Sequence, residues 1–130
     1  MLVRERMTES PATAQPEDSL ALAAAKMKAG NFRRLPVVDR GILVGIISQY
    51  DLKDYCGLFD TVLVKAAMTP DPVTVSPTAT LEHAMSCLFK HRIGALPVVD
   101  AGELVGIIAA SDLWIAEPRA LPEWIPRGNR

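Results

Sequence analysis

Cysteine and histidine are scarce, with two of each in 130 residues. Cys56 and Cys87 stand alone, with no CxxC and no spacing that suits a metal. They read as reduced thiols of a cytosolic protein and leave no disulfide framework to consider. His83 and His91 lie eight apart with no carboxylate or cysteine cluster around them, so no metal centre is expected. An excess of one charge is also missing. The net charge is −1, with acids and bases mixed, and nucleic-acid binders usually show a basic stripe instead. The longest apolar runs, such as Leu43–Ile47, are far too short to cross a bilayer, so no membrane insertion is expected. The segment Met1–Met7 carries charges and lacks the apolar core of an export signal, which points to a cytoplasmic location. There is no P-loop, no Ser-His-Asp or Cys-His set and no glycine-rich dinucleotide fingerprint. An enzyme is therefore not expected, and no residue is assigned a catalytic role.

What the chain does have is an apolar fraction of 49%, enough for a core, and an internal repeat. Leu35-Pro36-Val37-Val38-Asp39 returns as Leu96-Pro97-Val98-Val99-Asp100, and Leu43-Val44-Gly45-Ile46-Ile47 as Leu104-Val105-Gly106-Ile107-Ile108. Asp51-Leu52 returns as Asp112-Leu113, and Met7-Thr8 as Met68-Thr69. Every pair is offset by 61, and 20 of the 46 positions in 7–52 match their counterparts in 68–113. Repeats of this kind are one structural unit copied. Units near this size bury too little surface to be more than marginal alone.

Each copy reads as strand, helix, strand, strand, helix. The segments Pro11–Ala14 and Pro72–Val75 are expected to be extended, the second more clearly because its valines and threonine are β-branched. Leu20, Ala23, Ala24 and Met27 repeat at helical spacing, as do Leu81, Ala84, Met85 and Leu88. Ser19 and Thr80 are the expected N-caps, and Gly30 an expected helix terminator. Two apolar runs then flank Asp39-Arg40-Gly41 and Asp100-Ala101-Gly102, which predicts hairpins with glycine at a positive φ. The second strand of each hairpin is apolar nearly throughout, so burial on both faces is expected. A second helix is expected from about Ser48 and from about Ser111. The boundaries expected are residues 1–60, residues 61–116 and a proline-rich tail of residues 117–130. That tail is expected either to be a disordered or surface-draped end or to set Trp124, with Trp114, against a partner subunit.

The ordered set of LPVVD, the G-I-I run with its downstream Asp-Leu and a Met-Thr entry, all in two copies, resembles a tandem pair of CBS domains. The resemblance covers residues 3 to 115. It implies an α/β (α+β) fold in which two β-α-β-β-α units pack around a pseudo-twofold axis as a Bateman module. It also implies a regulatory role, a homodimer, and an adenine nucleotide (AMP, ADP or ATP) or S-adenosylmethionine bound in the cleft between the copies. No cofactor is required on this reading. A regulated enzyme or transporter would be the partner.

Carried over residue by residue, the resemblance assigns Asp51 and Asp112 to the ribose. A carboxylate suits that task because it can accept bonds from two neighbouring hydroxyls. Ser48 takes the hydroxyl position near phosphate, where the second copy has Ala109 and only Ser111 to offer in its place. Ser76 and the segment Ile93-Gly94-Ala95 would face Asp51. Gln15 and Phe32-Arg33-Arg34 would face Asp112, with Arg33 and Arg34 suited to a polyphosphate. His91 and Arg92 are weaker counterparts. The residues by themselves allow another reading: Ser48-Gln49-Tyr50-Asp51 has capping-box spacing and explains both polar groups without a ligand. A ligand-free dimerisation or interaction platform is the rival function.

Overall fold

The computed structural model describes residues 1–114; the tail of residues 117–130, Trp124 and the side chain of Trp114 lie outside the described residues. The strands are β1 (Thr8–Glu9), β2 (Arg34–Asp39), β3 (Ile42–Ser48), β4 (Thr69–Pro70), β5 (Ala95–Asp100) and β6 (Glu103–Ala109). The helices are α1 (Leu20–Gly30), α2 (Gln49–Leu52), α3 (Val64–Ala67), α4 (Leu81–His91) and α5 (Ala110–Trp114). They form two small three-stranded antiparallel sheets, β2-β3-β4 and β1-β6-β5.

The chain divides into two compact units. One is Ala12–Pro72; the other joins Met1–Pro11 to the chain from Val73 onward. The entry segment of each sequence copy therefore packs onto the hairpin of the other copy. In the first unit, β4 pairs with β3 through Gly45↔Pro70 and Ile46↔Thr69. In the second, β1 pairs with β6 through Glu9↔Gly106 and Thr8↔Ile107. The central glycines allow this approach. A Cβ at Gly45 would sit 3.0 Å from the Thr69 carbonyl oxygen, and one at Gly106 would sit 2.9 Å from that of Thr8.

The first unit's core holds Leu20, Ala23 and Met27 of α1 against Leu35, Val37, Ile47 and Val64. The second holds Leu81, Ala84 and Leu88 of α4 against Leu96, Val98, Ile108 and Val3. Ser19 Oγ accepts from Leu22 N, and Thr80 Oγ1 accepts from His83 N, so both expected N-caps are in place. The hairpin turns have positive φ at two successive residues, Arg40-Gly41 and Ala101-Gly102, which matches the twist of the strands they join.

Three local expectations are corrected. The segments around Ala14 and Val75 are not strands; each makes one parallel bridge, to Val37 and Val98. Prolines 11 and 16, and 72 and 77, bracket them and remove the donors a longer ladder needs. Gly30 does not terminate α1. It is the last helical residue, and Asn31 takes the left-handed cap, with Arg92 as its counterpart after α4. The central strands are not buried on both faces. Gly45 and Ile47 are buried, but Val44 and Ile46 are half-buried and Ile42 is exposed.

Candidate functional site

In the first unit, α2 starts directly where β3 ends, and the junction is the capping box. Asp51 Oδ2 accepts from Ser48 N at 2.8 Å and from the Ser48 hydroxyl at 3.1 Å. Ser48 Oγ in turn accepts from Asp51 N at 3.3 Å. The box thus converges on one carboxylate oxygen, and a carboxylate has acceptor capacity on both. The capping and ligand readings of Ser48 and Asp51 are compatible.

Arg34 stands beside this junction. It begins β2 and is the register partner of Ser48, while the Arg33 carbonyl accepts from Gln49 N at 2.9 Å. Arg34 Nη1 is shielded from solvent and has no hydrogen-bond partner among the described residues. Burial holds the guanidinium below its usual range, repulsion from Arg33 adds to the effect, and the Asp51 carboxylate opposes it. Arg33 and Arg34, which the resemblance set opposite Asp112, are thereby gathered with Ser48 and Asp51 at one end of one hairpin.

The second unit repeats the backbone and loses most of the polar groups. Ala95 is the partner of Ala109, and the Gly94 carbonyl accepts from Ala110 N at 2.8 Å. Asp112 Oδ2 still accepts from Ala109 N at 2.8 Å, but Ala109 has no hydroxyl to complete a box. Ser111 is half-buried beside Asp112, and Ile93 N is bonded to the Leu88 carbonyl. Ser76 is exposed and closes a local turn with Thr78, its Oγ 3.0 Å from Thr78 Oγ1. Its neighbour Val75 bridges Val98, so Ser76 lies nearer the turn end of β5 than Ala95 does. Gln15 N is likewise used locally, donating to Asp18 Oδ2 at 2.8 Å.

Two features were not drawn from the sequence. Tyr50, inside the capping box, is 66% exposed, and Lys53 Nζ lies 4.4 Å from its ring centroid. The other is a Cys-His pair, where no Cys-His set was expected. Cys87 Sγ is 3.6 Å from His83 Nε2, because residues four apart share a helix face. Among the described residues no group of three or more metal-ligating side chains occurs, and no helix is long and apolar enough to cross a membrane.

Comparison with known proteins agrees with the repeat. The CBS-domain family model matches residues 3–57 and 64–113. CBS domain-containing protein YhcV of Bacillus subtilis is 34% identical over 114 residues, which is 85% of this chain and 81% of that protein. Inosine-5'-monophosphate dehydrogenase of Korarchaeum cryptofilum is 38% identical over 106 residues, 81% of this chain but 22% of the enzyme. Among solved structures, CBSX2 in complex with AMP superposes with a TM-score of 0.80 at 31% identity, covering 88% of this chain and 94% of that one. The CBS domain pair of protein MJ0100, in complex with 5'-methylthioadenosine and S-adenosyl-L-methionine, gives 0.82 at 29% identity, covering 89% and 94%. Two matched segments, two sheets built to one plan and this set of relatives lead to one assignment: the chain belongs to the CBS-domain family and carries two tandem CBS repeats.

Proposed function

We infer that this chain is a regulatory module, not an enzyme, that binds an adenosyl ligand (AMP, ADP, ATP or S-adenosylmethionine) and signals through a change in conformation. The observation that carries the reading is the shielded Nη1 of Arg34, without a hydrogen-bond partner among the described residues, beside Ser48 and Asp51. A shielded guanidinium nitrogen that makes no hydrogen bond is costly, and an anion delivered by a ligand relieves that cost. Asp51 serves the ribose, Ser48 and Arg34 serve phosphate, and Arg33 adds charge. The AMP held by one relative and the S-adenosyl-L-methionine held by another support this ligand class. The second repeat, with Ala95 and Ala109 opposite one another, keeps only Asp112 and Ser111 for the task and is the weaker partner. A bound ligand shifts the module only by its differential affinity for two states, and a regulated enzyme, transporter or second copy of the chain reads that shift.

Isothermal titration with the four ligands tests the proposal. At least one is expected to bind. Asp51→Asn, which keeps an oxygen for the capping box, is expected to weaken a ribose-bearing ligand by about tenfold, the loss of one charged hydrogen bond. No heat and no thermal shift with any of the four would leave the ligand-free interaction platform as the function.

A further inference from the structure

α4 carries a thiol and an imidazole one turn apart. Cys87 Sγ and His83 Nε2 are 3.6 Å apart, within hydrogen-bonding reach for sulfur. The helix backbone that carries them is fixed at its first turn, and His83 itself is exposed. The backbone N–H of His83 donates to Thr80 Oγ1 at 3.0 Å, which fixes the first turn of the helix. Cys87 is half-buried and packs against the core cluster of the second unit. The sulfur is thus kept at the helix surface, with an imidazole nitrogen beside it.

The pair belongs to one repeat only. At the corresponding positions of α1 the chain has Leu22 and Lys26. Lys26 has a structural use there: its Nζ donates to the Thr13 carbonyl at 2.9 Å and lies 3.8 Å from Asp18 Oδ2. In α4 those positions are occupied by a nucleophile and a base instead. Cys56 supplies a contrast within the molecule. It is exposed, and among the described residues its thiol makes no hydrogen bond.

We propose that Cys87 is a thiol-modification site at which His83 is the proton acceptor, and that its substrates are low-molecular-weight disulfides. His83 Nε2 takes the Sγ proton as the sulfur attacks one sulfur of the disulfide. The new S–S bond forms as the old one breaks, and the departing thiolate takes the proton from His83. The products are a mixed disulfide on Cys87 and one free thiol. Cys87 is oxidised and the departing sulfur is reduced, so no other oxidant is needed. The thiolate is the attacking species in such exchange, and a base within hydrogen-bond reach supplies it.

The test uses the intact chain and 5,5'-dithiobis(2-nitrobenzoate), with each adduct located by peptide mass spectrometry. Cys87 is expected to react about tenfold faster than Cys56 in spite of its lower exposure. His83→Gln leaves the backbone donor to Thr80 in place, and circular dichroism checks that the helix content is unchanged. It is expected to remove most of the Cys87 advantage and leave the Cys56 rate unchanged. Unfolding in urea is expected to bring the two cysteines to similar rates. A Cys87 rate equal to or below that of Cys56, or one indifferent to His83→Gln, overturns the proposal. None of these readouts depends on nucleotide binding.

Discussion

Arg34 holds a positive charge where water is scarce and where Asp51 offsets only part of the cost. A guanidinium keeps its proton throughout the ordinary pH range, so the strain cannot be relieved by neutralisation. The shielded nitrogen is therefore expected to work against the stability of the free protein. Arg34→Met retains an unbranched stem to cover the same core edge and removes the unpartnered donor. Relieving one unsatisfied buried group is worth about 1 kcal/mol, so urea unfolding of the variant is expected to show unchanged or increased stability. The same substitution is expected to reduce affinity for AMP far more than for adenosine, read by titration. A stability loss above about 1 kcal/mol would mean that Arg34 has a structural partner and would remove the argument for a phosphate.

The junction of strand and helix is the element on which the two repeats differ most. Each hairpin carries a bulge: the register shifts between Val37 and Val38, and between Val98 and Val99. Val44 and Val105 are the extra residues, and their carbonyls accept from Asp71 N and Ser10 N, in the segments that follow β4 and β1. The bulge has a consequence for the site. Counting back from the Arg40-Gly41 turn without it would set Arg34 opposite Ile47; with it, Arg34 meets Ser48. Apolar runs around an Asp-x-Gly turn make the hairpin legible in the sequence, and the Ser48–Asp51 spacing makes the capping box legible. The bulge leaves no trace in composition, so the meeting of Arg34 and Ser48 could not be read. The short entry strands were missed for a related reason, since two-residue strands have no period to detect. Ala109→Ser tests this difference between the repeats. It supplies the hydroxyl missing at the head of α5, where Ala109 N already donates to Asp112. Completing the box is expected to raise stability by about 0.5–1 kcal/mol, seen as a higher melting temperature. An unchanged or lower value would show that the backbone there differs from that at Ser48.

At the scale of the molecule, the sequence repeat and the packing unit are offset from each other. The family matches follow the sequence, at 3–57 and 64–113, whereas the compact units exchange their entry segments near Pro11 and Pro72. Val3 and Val64 occupy matching positions and are both fully buried, yet each serves the core of the other copy's hairpin. The bonds made around them repeat as well: Met7 N reaches the Val3 carbonyl and Met68 N the Val64 carbonyl, both at 2.9 Å. Truncating either valine to alanine removes two buried methyl groups and is expected to cost about 2 kcal/mol, including the cavity left behind. The location of the damage is what discriminates. Hydrogen exchange on the intact chain is expected to show Val3→Ala lowering amide protection in β5 and β6, far along the chain, more than in β2 and β3. Val64→Ala is expected to do the reverse, loosening the hairpin that precedes it in sequence. If each substitution instead loosened the hairpin of its own sequence copy, the entry segments would not close the units they are packed against, and the exchange would have no energetic meaning.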